Sequence, residues 1–156
     1  ETIMTAPDTI PVERVDHVGI RVTDADRAIK FYEIFGFEVL HKSSLDAVVI
    51  IRNSDDVEMN LIVNANTTND RRNILMDEDR KYPGFTHVAL RVGSIKDTIA
   101  TLKKHEIEIT QGPVMFGGDG HVSVFIRDPD RNTLELRGRA ENFDEIEGLV
   151  QYDPKG

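Results

Sequence analysis

Apolar and polar residues alternate in two stretches of the chain that have nearly the same pattern. Residues 15–22 read "VDHVGIRV" and residues 85–92 read "FTHVALRV", each with a His in the third place. Successive side chains of a β-strand point to opposite faces, so the aliphatic residues of each stretch share one face. The other face carries a His, a small residue and an Arg in both copies: His17, Gly19 and Arg21, then His87, Ala89 and Arg91. The pattern predicts two strands, each with one buried face.

A helical pattern follows each of these strands. Residues 23–36 place apolar side chains at helical spacing behind Thr23 or Asp24, either of which can cap the helix. Residues 93–106 repeat the pattern with Ser94 as the cap. Three short apolar runs then predict three strands in each half, near 37–42, 46–52 and 56–63, and near 107–111, 121–127 and 132–138.

The second half of the chain repeats the first. Residues 15–39 match the stretch that begins at residue 85, and residues 50–63 match residues 125–138. Self-similarity of this kind indicates one structural unit written twice. We therefore predict an α+β fold in which two tandem βαβββ modules form a curved mixed-sheet trough.

The predicted organisation has five parts. These are an N-terminal arm (1–14), a first module (15–63), a polar linker or mobile loop (64–84), a second module (85–138) and an acidic C-terminal tail (139–156). The tail contains an amphipathic patch made of Phe143, Ile146, Leu149 and Val150. The patch leaves two alternatives open, a loose tail or an arm that lies on a partner subunit.

Composition narrows the chemistry. The chain has 156 residues, no Cys and a net charge of −9. Without Cys, any metal must be held by His, Asp or Glu side chains. The negative charge disfavours nucleic acid as a partner. No apolar run approaches the ~18 residues of a membrane span, so we expect no membrane partner and a cytoplasmic protein.

Strand parity places a set of polar side chains on the trough face. His17, Asn60, His87, His121 and Glu135 fall on this face together. Two neutral imidazoles and one carboxylate from three strands suit a divalent first-row metal and leave positions open for a substrate. The alternative is that the two His residues are hydrogen-bonded side chains that record a duplication.

These residues resemble the vicinal oxygen chelate superfamily, which includes glyoxalase I, extradiol dioxygenases and bleomycin resistance proteins. The resemblance is carried by "DHVGIRV", "THVALRV" and "RDPDRNTLEL", and covers about residues 12–138. It implies that His17, His87 and Glu135 are the metal ligands. The implied cofactor is a divalent ion, one of Fe, Ni, Zn, Mn or Co.

The resemblance also implies a fourth corner of the site. Asn60 is the repeat counterpart of Glu135 and stands where glyoxalase I has a Glu that binds metal and moves protons. An amide cannot act as a base, so a role in substrate binding is expected for Asn60. His121 and Glu58 are the candidate acid–base residues. The alternative for Glu58 is an exposed strand carboxylate that pairs with Arg21.

Two further residues are expected to contact substrate. Arg91 could orient a substrate carboxylate, and Phe125 stands near the position of a tyrosine in the extradiol dioxygenases. The favoured function is a metal-dependent enzyme, of lyase or isomerase type, that acts on a small molecule with vicinal oxygens. The alternatives are a metal-free protein that binds a small molecule or antibiotic, and an extradiol ring-cleavage dioxygenase. A homodimer is the expected assembly.

Overall fold

The first half of the chain forms a βαβββ module. The structure, a computed structural model, describes residues 5–43, 45–68 and 72–153. The module consists of β1 (Val18–Arg21), α1 (Ala25–Glu33), β2 (Glu38–Ser43), β3 (Val48–Arg52) and β4 (Glu58–Ile62). Its sheet has the strand order β1-β4-β3-β2, with β1 parallel to β4 and the other pairs antiparallel.

The second half repeats this arrangement. It consists of β5 (Val88–Ser94), α2 (Ile95–Lys104), β6 (Ile109–Met115), β7 (His121–Arg127) and β8 (Thr133–Arg139). A short strand β9 (Val150–Gln151) adds to the edge, so the order is β5-β8-β7-β6-β9. Two mixed sheets built from consecutive βαβββ units confirm the predicted trough-like α+β fold.

Each helix begins at a residue whose side chain caps the backbone. The Asp24 carboxylate accepts a hydrogen bond from the Arg27 N–H, and the Ser94 hydroxyl accepts one from the Asp97 N–H. These bonds satisfy N–H groups that have no partner within the helix. Of the two candidate caps of α1, Asp24 is therefore the one that begins the helix.

The core lies between the sheets and the helices. The aliphatic residues of β1, β4 and β8 are buried in it: Ile20, Met59, Leu61, Leu134 and Leu136. On the helices, Tyr32, Ile95 and Leu102 are large side chains that pack inward, with at most 2% of their surface exposed. Residues of both modules belong to one continuous apolar cluster.

A turn of the second module joins the two modules. The Asp130 carboxylate accepts hydrogen bonds from the Thr23 hydroxyl at 2.7 Å and from the Arg27 guanidinium at 2.9 Å. The Asn132 amide donates to the Arg21 carbonyl at 3.0 Å. The buried Tyr32 hydroxyl donates to Asp128 at 2.8 Å. The loop between β7 and β8 is therefore both a hairpin turn and the joint between the modules.

The C-terminal segment packs on its own chain. β9 pairs in parallel with β6, and the Tyr152 N–H donates to the Met115 carbonyl at 2.7 Å. Ile146 of the amphipathic patch is buried against the common core. Residues 143–152 are therefore held against their own chain rather than loose, and their contact with a partner subunit stays a prediction. Residues 154–156, also part of the predicted tail, lie outside the described part.

Strand β6 is longer and more bent than the apolar pattern indicates. It runs to Met115, and its pairing with β7 shifts twice, before and after Gln111. Gly112 has a φ of +94°, and a Cβ there would lie 2.6 Å from the Ser123 carbonyl oxygen. Glycine is the residue that tolerates both conditions, so the strand can bend closely over β7.

In the described part of the chain, no helix has the length and apolar character needed to span a bilayer.

Candidate metal and substrate site

A pocket of about 490 Å³ opens on the concave face of the second module. His87, Glu135 and Phe125, three of the predicted site residues, line this pocket together. His87 lies directly before β5, and Glu135 is paired with Ala89 of β5 and with Phe125 of β7. The small Ala89 side chain leaves space beside the carboxylate. The strand register thus brings a histidine and a carboxylate from two strands to one cavity.

Glu135 is a buried residue whose carboxylate has no partner among the described residues. Its exposed fraction is 9%, and no hydrogen bond or ion pair reaches it from the residues that the structure describes. Because the carboxylate has no cation or donor of the described protein beside it, it is free to bind a cation next to His87. The donor set therefore fits a divalent metal.

A second polar cluster lies on the first module. Asp16, His17 and Glu58 each place a ligand atom within 4.8 Å of the others. The His17 Nδ1 is 2.6 Å from the Asp16 carboxylate, and this hydrogen bond lowers the pKa of Asp16. His17 and Glu58 are neighbours because β1 and β4 run in parallel, with Val18 opposite Met59.

The predicted ligands are therefore divided between the two modules. Within the described ranges, one group of three His or acidic residues has metal-binding spacing, and it contains His17 but neither His87 nor Glu135. His17 is 43% exposed at its side chain and does not line the pocket of the second module. The structure thus brings together His87 with Glu135, and His17 with Glu58.

The ion-pair partner of Glu58 differs from the one expected. It pairs with Arg52, its neighbour across the β3–β4 hairpin, at 2.6 Å. Arg21 instead donates to the Asn64 side chain at 2.9 Å. The expected pairing of Glu58 with Arg21 is wrong, because the hairpin register places Arg52 directly opposite Glu58.

Asn60 lies one row beyond His17 on the same sheet face. It is paired with Gly19 of β1, and its side-chain oxygen is buried without a hydrogen-bond partner in the described chain. The oxygen is therefore available to a ligand that covers this face.

His121 is buried at the far end of β7. Its exposed fraction is 8%, and neither ring nitrogen has a hydrogen bond within the described residues. The Nδ1 atom is 3.3 Å from the Asp119 carboxylate, which is engaged by Arg137. His121 does not line the His87 pocket, so the structure leaves it apart from the carboxylate of Glu135.

Arg91 lies on the exposed side of β5 and lines a different cavity. That cavity, of about 630 Å³, lies between α2, the edge of β5 and the first module. The predicted contact of Arg91 with a substrate carboxylate would therefore occur away from the His87 pocket.

Several residues that shape the pocket were not expected. Thr133 is the repeat counterpart of Glu58 and lies at the pocket floor, while Met76, Phe116 and Tyr152 form its rim. Thr133 could have been predicted from the sequence, because it lies two residues before Glu135 and therefore on the same face of the strand. Met76 and Tyr152 lie in segments expected to be a loop and a tail, so nothing in the local pattern placed them here.

The fold and the two half-sites, His87 with Glu135 and His17 with Glu58, together define a protein of the vicinal oxygen chelate class. Residues 14–136 match the Glyoxalase/Bleomycin resistance protein/Dioxygenase superfamily. The chain belongs to this superfamily.

Named relatives agree with this assignment. The chain is 30% identical over 133 residues to the virulence protein STM3117 of Salmonella typhimurium, covering 80% of this chain and 83% of the relative. It is 26% identical over 129 residues to a lactoylglutathione lyase of Arabidopsis thaliana, covering 77% of this chain but only 42% of the plant protein. A glyoxalase/dioxygenase from Nostoc punctiforme has a similar fold, with a TM-score of 0.68 at 17% identity over 90% of this chain and 100% of that one.

Proposed function

We propose that this chain is a divalent-metal-dependent enzyme that acts, by lyase or isomerase chemistry, on a small molecule with two neighbouring oxygen atoms. The observation that carries the proposal is that the carboxylate of the buried residue Glu135 has no partner in the described chain and lies in the same pocket as His87. A neutral imidazole and a carboxylate are ligands that first-row divalent ions accept. We propose Fe, Ni, Zn, Mn or Co as the ion.

We further propose that His17 completes the ligand set from a second copy of the chain. Val15 and Phe85 stand at equivalent places before the two histidines and are 77% and 96% exposed. Exposed apolar side chains beside both half-sites support burial of these surfaces in a homodimer. Such a dimer would bring the exposed His17 of one copy to the His87 pocket of the other.

In this arrangement the residues that accompany His17 enter the same site. A ligand atom of Glu58 lies within 4.8 Å of one of His17, and Glu58 would be the base, with Arg52 beside it to hold its position. The unpartnered Asn60 oxygen would accept a hydrogen bond from a substrate hydroxyl. The metal supplies a Lewis acid that stabilises negative charge on a substrate oxygen.

Metal stoichiometry of variants tests the ligand set. Protein purified untagged and without chelator is analysed for metal per chain, as wild type and as His17→Ala, His87→Ala and Glu135→Gln. Each variant is expected to lose the metal, while His105→Ala, which alters an exposed histidine with no side-chain partner in the described chain, keeps it. Full occupancy in His87→Ala would overturn the proposal.

Two controls separate the alternatives. Mixing His17→Ala with His87→Ala restores metal binding only where one site draws on two chains, because the mixed dimer then holds one intact site. Loss of metal in Asp16→Asn together with retention in Glu135→Gln would place the metal in the first module, at Asp16, His17 and Glu58. Wild-type protein that takes up no metal on titration would make a metal-free binding protein the better explanation.

A further inference from the structure

The His87 pocket has an aromatic wall. Phe125 stacks edge-on against His87 with ring centroids 5.6 Å apart, and Phe116 meets Phe125 edge-on at 6.1 Å. Tyr152 continues the row at 4.9 Å from Phe116. Phe116 and Tyr152 are 42% and 45% exposed, so part of each residue remains open to a ligand. Planar rings gain most from such edge and face contacts.

The pocket floor holds a hydroxyl that needs a partner. Thr133 is 6% exposed, and its Oγ1 atom has no hydrogen bond in the described part of the chain. A buried hydroxyl without a partner is uncommon in folded proteins and costs free energy. Thr133 lies one residue before the strand pair of Val88 and Leu134, which places it beside His87. A ligand oxygen in the pocket would satisfy this hydroxyl.

The charges of the pocket disfavour an anionic ligand. Arg127 is the cationic side chain in its lining, and its guanidinium already contacts the Asp77 carboxylate at 3.1 Å and the Arg131 carbonyl at 2.8 Å. Glu135 adds an unpaired negative charge. An anionic peptide group such as that of a glutathione adduct would find no free side-chain cation in this lining, and the metal of the proposed function would be taken by the two neighbouring oxygens.

We propose that this pocket binds an uncharged aromatic ring, which contacts Phe116 and Tyr152 while an oxygen next to the ring accepts a hydrogen bond from Thr133. The substrate class is thus a neutral aryl compound with vicinal oxygens, rather than a glutathione conjugate. The vicinal oxygens rest on the proposed function above. The ring subsite stands on the geometry of the pocket alone.

The test compares ligands that differ in the ring and in charge. Binding of α-hydroxyacetophenone, hydroxyacetone and S-lactoylglutathione is measured by ¹H–¹⁵N NMR titration, with EDTA and with equimolar Zn²⁺. The aryl ketone is expected to bind about three- to tenfold more tightly than hydroxyacetone. Tyr152→Ala and Phe116→Leu should reduce this preference. Thr133→Val should lower the affinity for the aryl ketone by about three- to tenfold.

Tyr82→Ala is the matched control, because Tyr82 is an exposed tyrosine outside the pocket lining. Equal affinity for the two ketones, or tighter binding of S-lactoylglutathione, would overturn the inference. Protein that binds Zn²⁺ without preferring the ring refutes the inference and leaves the proposed function standing. Protein that prefers the ring in EDTA but takes up no metal supports the inference and refutes the proposed function.

Discussion

The informative residues of this molecule are buried polar residues with few partners or none. Glu135, Thr133 and His121 all lie on the concave face of the second sheet. Glu135 and Thr133 have no side-chain hydrogen bond in the described chain, and the ring of His121 has its one polar contact there with Asp119, at 3.3 Å. Parity along the strands predicted that Glu135 and His121 share this face. Burial could not be predicted in the same way, because it depends on β9 and on the loop around Met76.

The unpartnered carboxylate leads to a prediction for the metal-free protein. Glu135→Gln removes a negative charge that no cation of the described chain balances, so it should leave the free energy of unfolding in EDTA unchanged or raise it slightly. Urea denaturation at pH 7 measures the difference. With a bound divalent metal the variant should instead be the less stable protein, since it lacks a ligand.

Glu58→Gln is the control for this prediction. Glu58 pairs with Arg52, so its neutral variant should lose up to about 1 kcal/mol instead of gaining stability. A metal-free Glu135→Gln protein that is less stable than wild type would contradict the view that this carboxylate lacks a partner.

At the scale of elements, the predicted order of strands and helices is confirmed. Periodicity and caps located α1, α2 and the eight strands of the repeat, because each is encoded by local pattern and turn residues. The pattern did not predict β9 or the extension of β6. A strand of two residues exists only through its pairing with β6, and that pairing joins segments distant in sequence.

The segment before the second module is held by an ionic contact. Asp77 accepts hydrogen bonds from the Arg131 guanidinium at 2.7 and 2.9 Å and contacts Arg127 at 3.1 Å. Asp77→Asn should lower the free energy of unfolding at pH 7 by about 1–3 kcal/mol. Asp79→Asn, two residues further on, should have no such effect because Asp79 is exposed and has no partner in the described residues.

The pH dependence of this contact has a definite sign. The Arg131 guanidinium, with help from the Asn73 N–H and Arg127, holds the pKa of Asp77 well below its usual value. The stabilisation is therefore complete above the unfolded-state pKa of about 4 and is lost as the pH falls below it. Urea titrations at pH 7, 5 and 3 should show the difference between wild type and Asp77→Asn unchanged at pH 5 and smaller at pH 3.

At the scale of the whole molecule, the modules are joined through a turn that occurs in both copies of the repeat. Asp130 of the second copy holds Thr23 and Arg27, whereas its counterpart Asp55 is exposed and makes no side-chain contact in the described part. The two turns look alike in sequence. Which turn joins the modules depends on how the modules pack against each other. The separation of His17 from the His87 pocket depends on the same packing, so the local sequence pattern could not predict it either.

This difference gives a paired prediction. Asp130→Asn should reduce the free energy of unfolding by about 1–3 kcal/mol, because it weakens the acceptor of three donors at a site where its own side chain is 6% exposed. Asp55→Asn should change stability by less than about 0.5 kcal/mol. Equal effects in chemical denaturation would show that the turn of the second module is not the joint.

The unequal burial of the two sheets has a consequence for the rate at which each copy of the repeat accumulates substitutions in evolution. Six of the seven residues of β7 are buried, while β3 and β4 alternate between buried and half-exposed positions. Fewer substitutions are tolerated where both faces are covered. Among related chains, the first copy of the repeat should accumulate changes faster than the second at equivalent positions wherever its open face stays in solvent and the proposed second copy does not cover it. Equal rates in the two copies would be the evolutionary trace of another molecule lying on the open face of the first sheet.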